Sequence, residues 1–318
     1  MTADSVLEWL LDSDPSIRWQ VRRDVLGESD SAVVTDRKRV ATEGWGARLL
    51  DLQDSDGNWA GGAWIFNNWT STFETLMMLR EMGIDATNHS VRNSINSVAA
   101  SSNWGEWHNH SPFFEGESEP CINGRVLALG SHFGHTSEKL VGRLLDEQLP
   151  DGGWNCDAPG SQRSSFNTTI CVLEGLLENE TKVDSKSDVN TARLRGQEFL
   201  LERKLFKSLT TGKAIERDRK SGRDWRNFTF PTRWYYDILW GLDYLRKARA
   251  IADERTSEAL EIVRGTRLPN GRWPLGEPHP GQVHFQMDAP GEKASRWNTL
   301  RALRVLKWSD NAESKHKG

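Results

Sequence analysis

Residues 144–154 read Leu144-Leu145-Asp146-Glu147-Gln148-Leu149-Pro150-Asp151-Gly152-Gly153-Trp154. After a polar loop, residues 165–177 read Ser165-Phe166-Asn167-Thr168-Thr169-Ile170-Cys171-Val172-Leu173-Glu174-Gly175-Leu176-Leu177. The first segment is the end of an amphipathic helix, stopped by a Pro-Asp-Gly-Gly turn. The second opens on polar residues, and Asn167 and Thr168 can accept from the free N–H groups of a helix start. It then continues as an apolar helix. Helix, tryptophan turn, loop and helix make one hairpin.

The hairpin recurs. Arg48 to Trp59 repeats it, with Gln53 standing six residues before its tryptophan as Gln148 does before Trp154, and the apolar helix Phe73–Met82 follows. A weaker copy has Gly105-Glu106-Trp107, then Pro120-Cys121-Ile122-Asn123-Gly124-Arg125 and a helix to about Phe133. Another has Asp224-Trp225, then Arg233-Trp234-Tyr235-Tyr236-Asp237 opening a helix to Leu245. The last has Gly271-Arg272-Trp273, then Arg296-Trp297-Asn298-Thr299 opening a helix to Leu306. Tryptophans 59, 107, 154, 225 and 273 are separated by 48, 47, 71 and 48 residues. That is a repeat period near 48, interrupted once. The extra residues fall to two surface loops, the polar stretch Glu178–Asn190 and the charged Lys213–Asp224.

Residues 6–26 form a shorter helical pair, with Pro15 at a helix start and Gly27 as its stop. The predicted organisation is an N-terminal helical cap (1–34), the hairpin array (35–310) and a polar tail (311–318). The fold class is all-α, five to six hairpins either stacked into an open solenoid or curled into a ring.

Composition narrows the function classes. The 318 residues carry 41 Lys plus Arg against 45 Asp plus Glu, a net charge of −4, which argues against nucleic acid as the main partner. Three cysteines (Cys121, Cys156, Cys171) are too few for a disulfide framework. The acidic N-terminus lacks the order of a signal peptide, and no apolar run reaches the ~18 residues of a membrane span. The expectation is a soluble, cytoplasmic protein. Fifteen tryptophans against three tyrosines suit wedges at helix-to-loop corners, where a large ring is buried and one N–H finds a carbonyl. Dinucleotide, Walker, nucleophile-elbow and His-Glu-x-x-His motifs are absent.

These residues resemble the α/α toroid of squalene cyclases and protein prenyltransferase β-subunits. The cyclase repeat ends in Gln followed by Gly-x-Trp, as in Gln53 with Gly57-Asn58-Trp59 and Gln148 with Gly152-Gly153-Trp154. Arg195-Gly196-Gln197-Glu198-Phe199-Leu200 matches its first half, with Lys204 where Gln belongs. The resemblance spans about residues 40–308. It implies an α/α toroid, and for the glutamine and tryptophan it implies a structural role, tying one helix end to the next unit. The Asp-x-Asp-Asp acid motif of class II cyclases is missing; Asp54-Ser55-Asp56 lies in a turn. Prenyltransferases bind zinc through Asp-x-Cys at one inner helix start and a His at a later one. The matching positions here hold Glu119-Pro120-Cys121 and Asn167, and His284 is the candidate to complete a site with Glu119 and Cys121.

The resemblance places inner-helix starts around a cavity mouth. Asp237, Tyr236 and Arg233 are the catalytic candidates, with Asp237 the acid because an aromatic wall raises a carboxyl pKa. As an alternative, Asp237 is a helix cap held by the helix dipole. Trp69, Trp234, Trp297, Asn167, Thr168 and Asn298 are the substrate-binding candidates. The predicted ligand is a hydrophobic isoprenoid held by aromatic walls in an axial cavity, zinc is the one cofactor raised, and peripheral membrane contact goes with such a ligand. A glycan-active toroid and a non-catalytic helical binding protein are the competing readings.

Overall fold

The computed structural model describes residues 3–65, 68–182, 187–288 and 291–316. The helices are α1 (Ala3–Leu11), α2 (Pro15–Gln20, prolonged by a π-helical turn Val21–Leu26), α3 (Asp30–Arg39), α4 (Gly44–Asp51), α5 (Thr72–Met82) and α6 (His89–Ser101). Then follow α7 (Pro120–Phe133), α8 (Glu138–Asp146), α9 (Phe166–Lys182), α10 (Ser187–Glu202), α11 (Ile238–Lys247), α12 (Glu254–Gly265) and α13 (Arg296–His316). Among the described residues there is no β-strand, only isolated bridges such as Asn68 to Gln282. The chain is all-α, as its periodicity predicts.

The tryptophan turn is built three times on one plan. Trp59, Trp154 and Trp273 are fully buried. Their indole N–H groups donate to the carbonyls of Leu49, Leu144 and Val263, each ten residues upstream, at 2.7, 2.7 and 2.8 Å. Their backbone N–H groups donate to the hydroxyls of Thr72, Thr169 and Thr299, each at 3.0 Å. Gly57, Gly152 and Gly271, two residues before each ring, have φ of +82°, +93° and +80°, a conformation that glycine adopts without strain. Gln53 donates to Gly57 O and to Ser90 O at the start of α6; Gln148 donates to Gly152 O and to Ala192 O in α10. In the third copy Arg267 takes the glutamine's place and donates to Gly271 O at 3.0 Å.

The other two marker tryptophans differ. Trp107 is 97% exposed on a 3₁₀ turn, so it is no wedge. Trp104 performs part of that role, donating to Phe113 O at 2.8 Å. Trp225 is buried against Phe166 and Tyr236, and its carbonyl accepts from Ile238 N at the start of α11.

Neighbouring helices pack in chain order: α5 on α7, α7 on α9, α9 on α11, α11 on α13. The α7–α9 pair is the closest, because Gly124 lies against the Cys171–Val172 backbone and Gly175 against the Gly124 backbone, and a Cβ on either would collide. Helix α13 packs on α2, where Arg304 donates to Gln20 Oε1 at 2.9 Å. Helix α2 reaches α5 through Trp19 Nε1 to Met82 O at 2.8 Å. Outside these, α8 packs on α7 and α10, and α10 on α9 and α12.

Two predicted boundaries move. The polar stretch Glu178–Asn190 is mostly helix: α9 runs to Lys182 and α10 starts at Ser187, with Glu180 holding Asn190 and Arg193 across the connection; residues 183–186 lie outside the described residues. Helix α13 passes Leu306 and runs through most of the predicted polar tail, because no Gly or Pro stops it and Trp308 docks on Ala250 O at 2.9 Å.

Candidate functional site

The loop before α11 delivers the three catalytic candidates to different surroundings. Asp237 is the N-cap of α11: Oδ1 accepts from Trp240 N at 2.6 Å, and Arg301 lies 3.4 Å away. It is 4% exposed, and burial holds its carboxyl above the usual range in spite of Arg301. Tyr236 is buried and its hydroxyl donates to Leu205 O at 2.7 Å, so it locks the loop onto the end of α10. Arg233 has φ +56° and extends inward to Glu74 at 2.9 Å, with its guanidinium over the Trp69 ring.

Several predicted ligand contacts prove to be latches. Trp297 is 1% exposed and stacks on Phe230 at 4.0 Å. Asn298 donates to Phe228 O at 2.6 Å and Pro274 O at 3.1 Å, holding the same loop from below. Asn167 does not cap α9. It accepts from Tyr236 N and donates to Asp218, both at 2.6 Å, while Ser165 receives the Thr168 N–H. The Trp69 and Trp234 rings meet at 4.8 Å, tilted by 56°, in an aromatic cluster with Trp64.

Trp69 and Arg233 do reach a pocket. A cavity of about 500 Å³ lies between α5 and the segment 275–288. Met78, Met82, Phe230, Val283 and Phe285 give it apolar walls, and Arg223 and Arg233 stand among its polar groups. The segment is pinned across the site by Trp69, whose N donates to Gln282 O at 3.0 Å and Nε1 to Pro280 O at 2.8 Å. His284 hydrogen-bonds Thr75 Oγ1 at 2.8 Å. Burial, with Arg223 and Arg233 nearby, pushes the His279 pKa down to about 3; burial and Arg233 lower that of His284. Both histidines are therefore neutral lining groups at pH 7.

The predicted metal set is corrected. His284 stays with Thr75, and it is Cys156 that joins Glu119 and Cys121, the three ligand atoms lying within 4.8 Å of one another. Cys121 sits in the first turn of α7, while Cys156 follows the Trp154 corner by two residues. Cys156 is also 3.3 Å from Thr168 Oγ1. A hydrogen bond from the Cys121 thiol, with Thr168, lowers the Cys156 pKa against the effect of burial and favours a thiolate there. Two sulfurs and a carboxylate are donors that suit zinc.

The cavity at the centre of α5, α7, α9, α11 and α13 is small and charged where an apolar axis is predicted. Its volume is about 70 Å³, and Glu74, Arg125, Arg233, Asp243 and Arg304 line it. The sequence patterns show which helix faces are apolar, but not that long charged side chains from five helices meet. Glu74 and Thr169 are functional or architectural residues that motif reading passes over.

No family model matches the chain, and no curated protein sequence matches it.

Proposed function

We propose that this chain is an α/α toroid of the squalene cyclase and prenyltransferase kind that binds a hydrophobic, isoprenoid-class molecule beside α5. The toroid reading is supported by the packing order of α2, α5, α7, α9, α11 and α13, which returns from α13 to α2 and from α2 to α5. The ligand reading rests on one observation: the pocket of about 500 Å³ with apolar walls and arginines among its polar groups. Ligand pockets commonly span ~300–1,000 Å³, whereas the central cavity of about 70 Å³ cannot take a polyprenyl chain. Asp237 is committed to the α11 cap and to Arg301, so the reading is one of binding rather than of alkene protonation.

Glu119, Cys121 and Cys156 would hold zinc in this protein. Bound there, zinc would keep thiolates ionised and polarise a ligand at its open position. Asn167, the residue at the prenyltransferase histidine position, instead holds the α11 loop through Tyr236 N.

Titration with geranylgeraniol, read by tryptophan fluorescence, tests the pocket. Saturable binding to the wild type that is lost in Val283→Trp, a variant that fills the pocket, is the expected result. Binding that survives Val283→Trp would move the ligand elsewhere.

A further inference from the structure

Of the fifteen tryptophans, Trp107 alone is open to solvent, 97% exposed on the loop 104–111; the others are buried or half-buried. A single exposed ring needs no explanation. This one belongs to a loop whose first residue, Trp104, lines a groove of about 350 Å³.

Trp64, Trp104 and Phe113 give the groove its aromatic walls, and Ser101, Ser102 and Asn103 its polar edge. The Trp64 and Trp104 rings meet at 5.6 Å, tilted by 56°, and Phe113 backs Trp104 at 4.8 Å. The frame is pinned. Trp104 N donates to Ser111 O and Phe113 N to Ser102 O, each at 3.0 Å, and Trp104 Nε1 donates to Phe113 O at 2.8 Å. A preformed site of this kind loses little freedom on binding. Asn103 Oδ1 accepts from Gly105 N at 2.8 Å, which fixes the amide. Asn103 Nδ2 and Ser102 Oγ have no hydrogen-bond partner among the described residues.

Charge selects among the ligands that stack on indole rings. Among the described residues, none that lines the groove is charged. From residue 93 to 124 the chain has no Lys or Arg and four glutamates, of which Glu115 is paired with Lys139. Nucleic acids stack on aromatic rings but need cations along their phosphates, and anionic lipid surfaces need cations too. A neutral sugar needs none. Its C–H face lies on an aromatic ring, and its hydroxyls meet hydroxyl and amide groups.

We infer that this groove binds a neutral carbohydrate, one sugar ring against Trp64 and Trp104, with Trp107 offering a further ring to the rest of the saccharide. The groove and the Trp69 pocket share no lining residue, although the Trp234 ring contacts both Trp64 and Trp69. The sugar site stands whether or not that pocket holds an isoprenoid.

Saturation-transfer NMR of the full chain with maltotriose, cellotriose and fully N-acetylated chitotriose tests this, with tri-thymidylate as the control. Transfer to the ring C–H groups of at least one trisaccharide, and none to the nucleotide, is the expected result. Ser101→Leu, at an exposed edge position, fills the groove and should abolish the transfer. Trp107→Ala should weaken binding roughly fivefold, the loss of one stacking contact. Neither variant removes a core side chain, so both should melt as the wild type does. Val283→Trp, which fills the Trp69 pocket, should bind sugar normally. Absence of transfer to all three sugars, transfer undiminished in Ser101→Leu or Trp107→Ala, or stronger transfer to the nucleotide, overturns the inference. Loss of transfer in Val283→Trp would place the sugar in the Trp69 pocket and overturn it as well.

Discussion

Glu74 lies 2.9 Å from Arg125 and 2.9 Å from Arg233, joining α5, α7 and the loop before α11 through one carboxylate that is 2% exposed. Burial opposes its ionisation, yet Arg125 and Arg233 overcome that and hold its pKa below the usual range. Glu74→Gln removes the charge and leaves two buried guanidiniums uncompensated. The expected loss is about 3–5 kcal/mol in urea unfolding, the range for breaking a buried pair from one side. A loss under ~1 kcal/mol would show that the two arginines reach solvent.

Acid should unfold the protein through the same groups. Glu74, Glu178 and Asp243 are all held low: burial raises each, and Arg125 and Arg233, Arg80, and Arg304 respectively outweigh it. A carboxylate whose folded pKa lies below its unfolded one contributes stability above the unfolded value, near 4. That contribution is lost as pH falls through the folded values. Asp237 has the opposite sign, being raised by burial, so what it contributes is lost as pH rises. Glu117 and Asp288 share that sign, but the lowered carboxylates, Asp24 and Glu81 among them, outnumber the raised ones, so the urea midpoint should fall steeply below about pH 4, and less steeply in Glu74→Gln. A midpoint flat from pH 6 to 3 would refute this.

The corner tryptophans should separate cleanly. Trp154→Ala empties a fully buried site and removes the bond to Leu144 O, for an expected cost of about 3–5 kcal/mol. Trp107→Ala, at a ring 97% exposed, should leave the melting curve where it was. Equal effects would deny that the turn, rather than the residue type, carries the stability.

That contrast also marks how far the sequence is readable. Gln148, Gly152 and Trp154 act within one turn, so their spacing alone specifies the geometry, and the matching set at Gln53 repeats it. Trp107 misleads because Gly105-Glu106-Trp107 has the motif's spelling but lies on a 3₁₀ turn after α6 that carries its ring outward, while Trp104 makes the indole hydrogen bond, to Phe113 O. Around the candidate site, Cys121 is legible as the start of α7, but its partner is not. Cys156 follows Cys121 by 35 residues and His284 by 163, neither at a spacing that specifies contact, and only the folded Trp154 corner brings Cys156 near. The central charges escape altogether, since Glu74, Arg125 and Asp243 sit on different helices and no spacing links them.

The metal set makes a narrow prediction. Protein loaded with zinc and then desalted should retain about one zinc per chain. Cys121→Ser and Cys156→Ser should each lose it, and His284→Ala should keep it. Elemental analysis decides the matter: zinc retained in Cys156→Ser, or lost in His284→Ala, would return the site to the set Glu119, Cys121 and His284.

The central claim is that the cavity beside α5 holds a hydrophobic ligand. The most direct measurement is mass spectrometry of an organic-solvent extract of purified protein, run in parallel on wild type and Val283→Trp. An isoprenoid-class lipid near one per chain in the wild type, and depleted in Val283→Trp, is the predicted result. The same lipid at the same level in both, or none in the wild type even after incubation with geranylgeraniol, would contradict it.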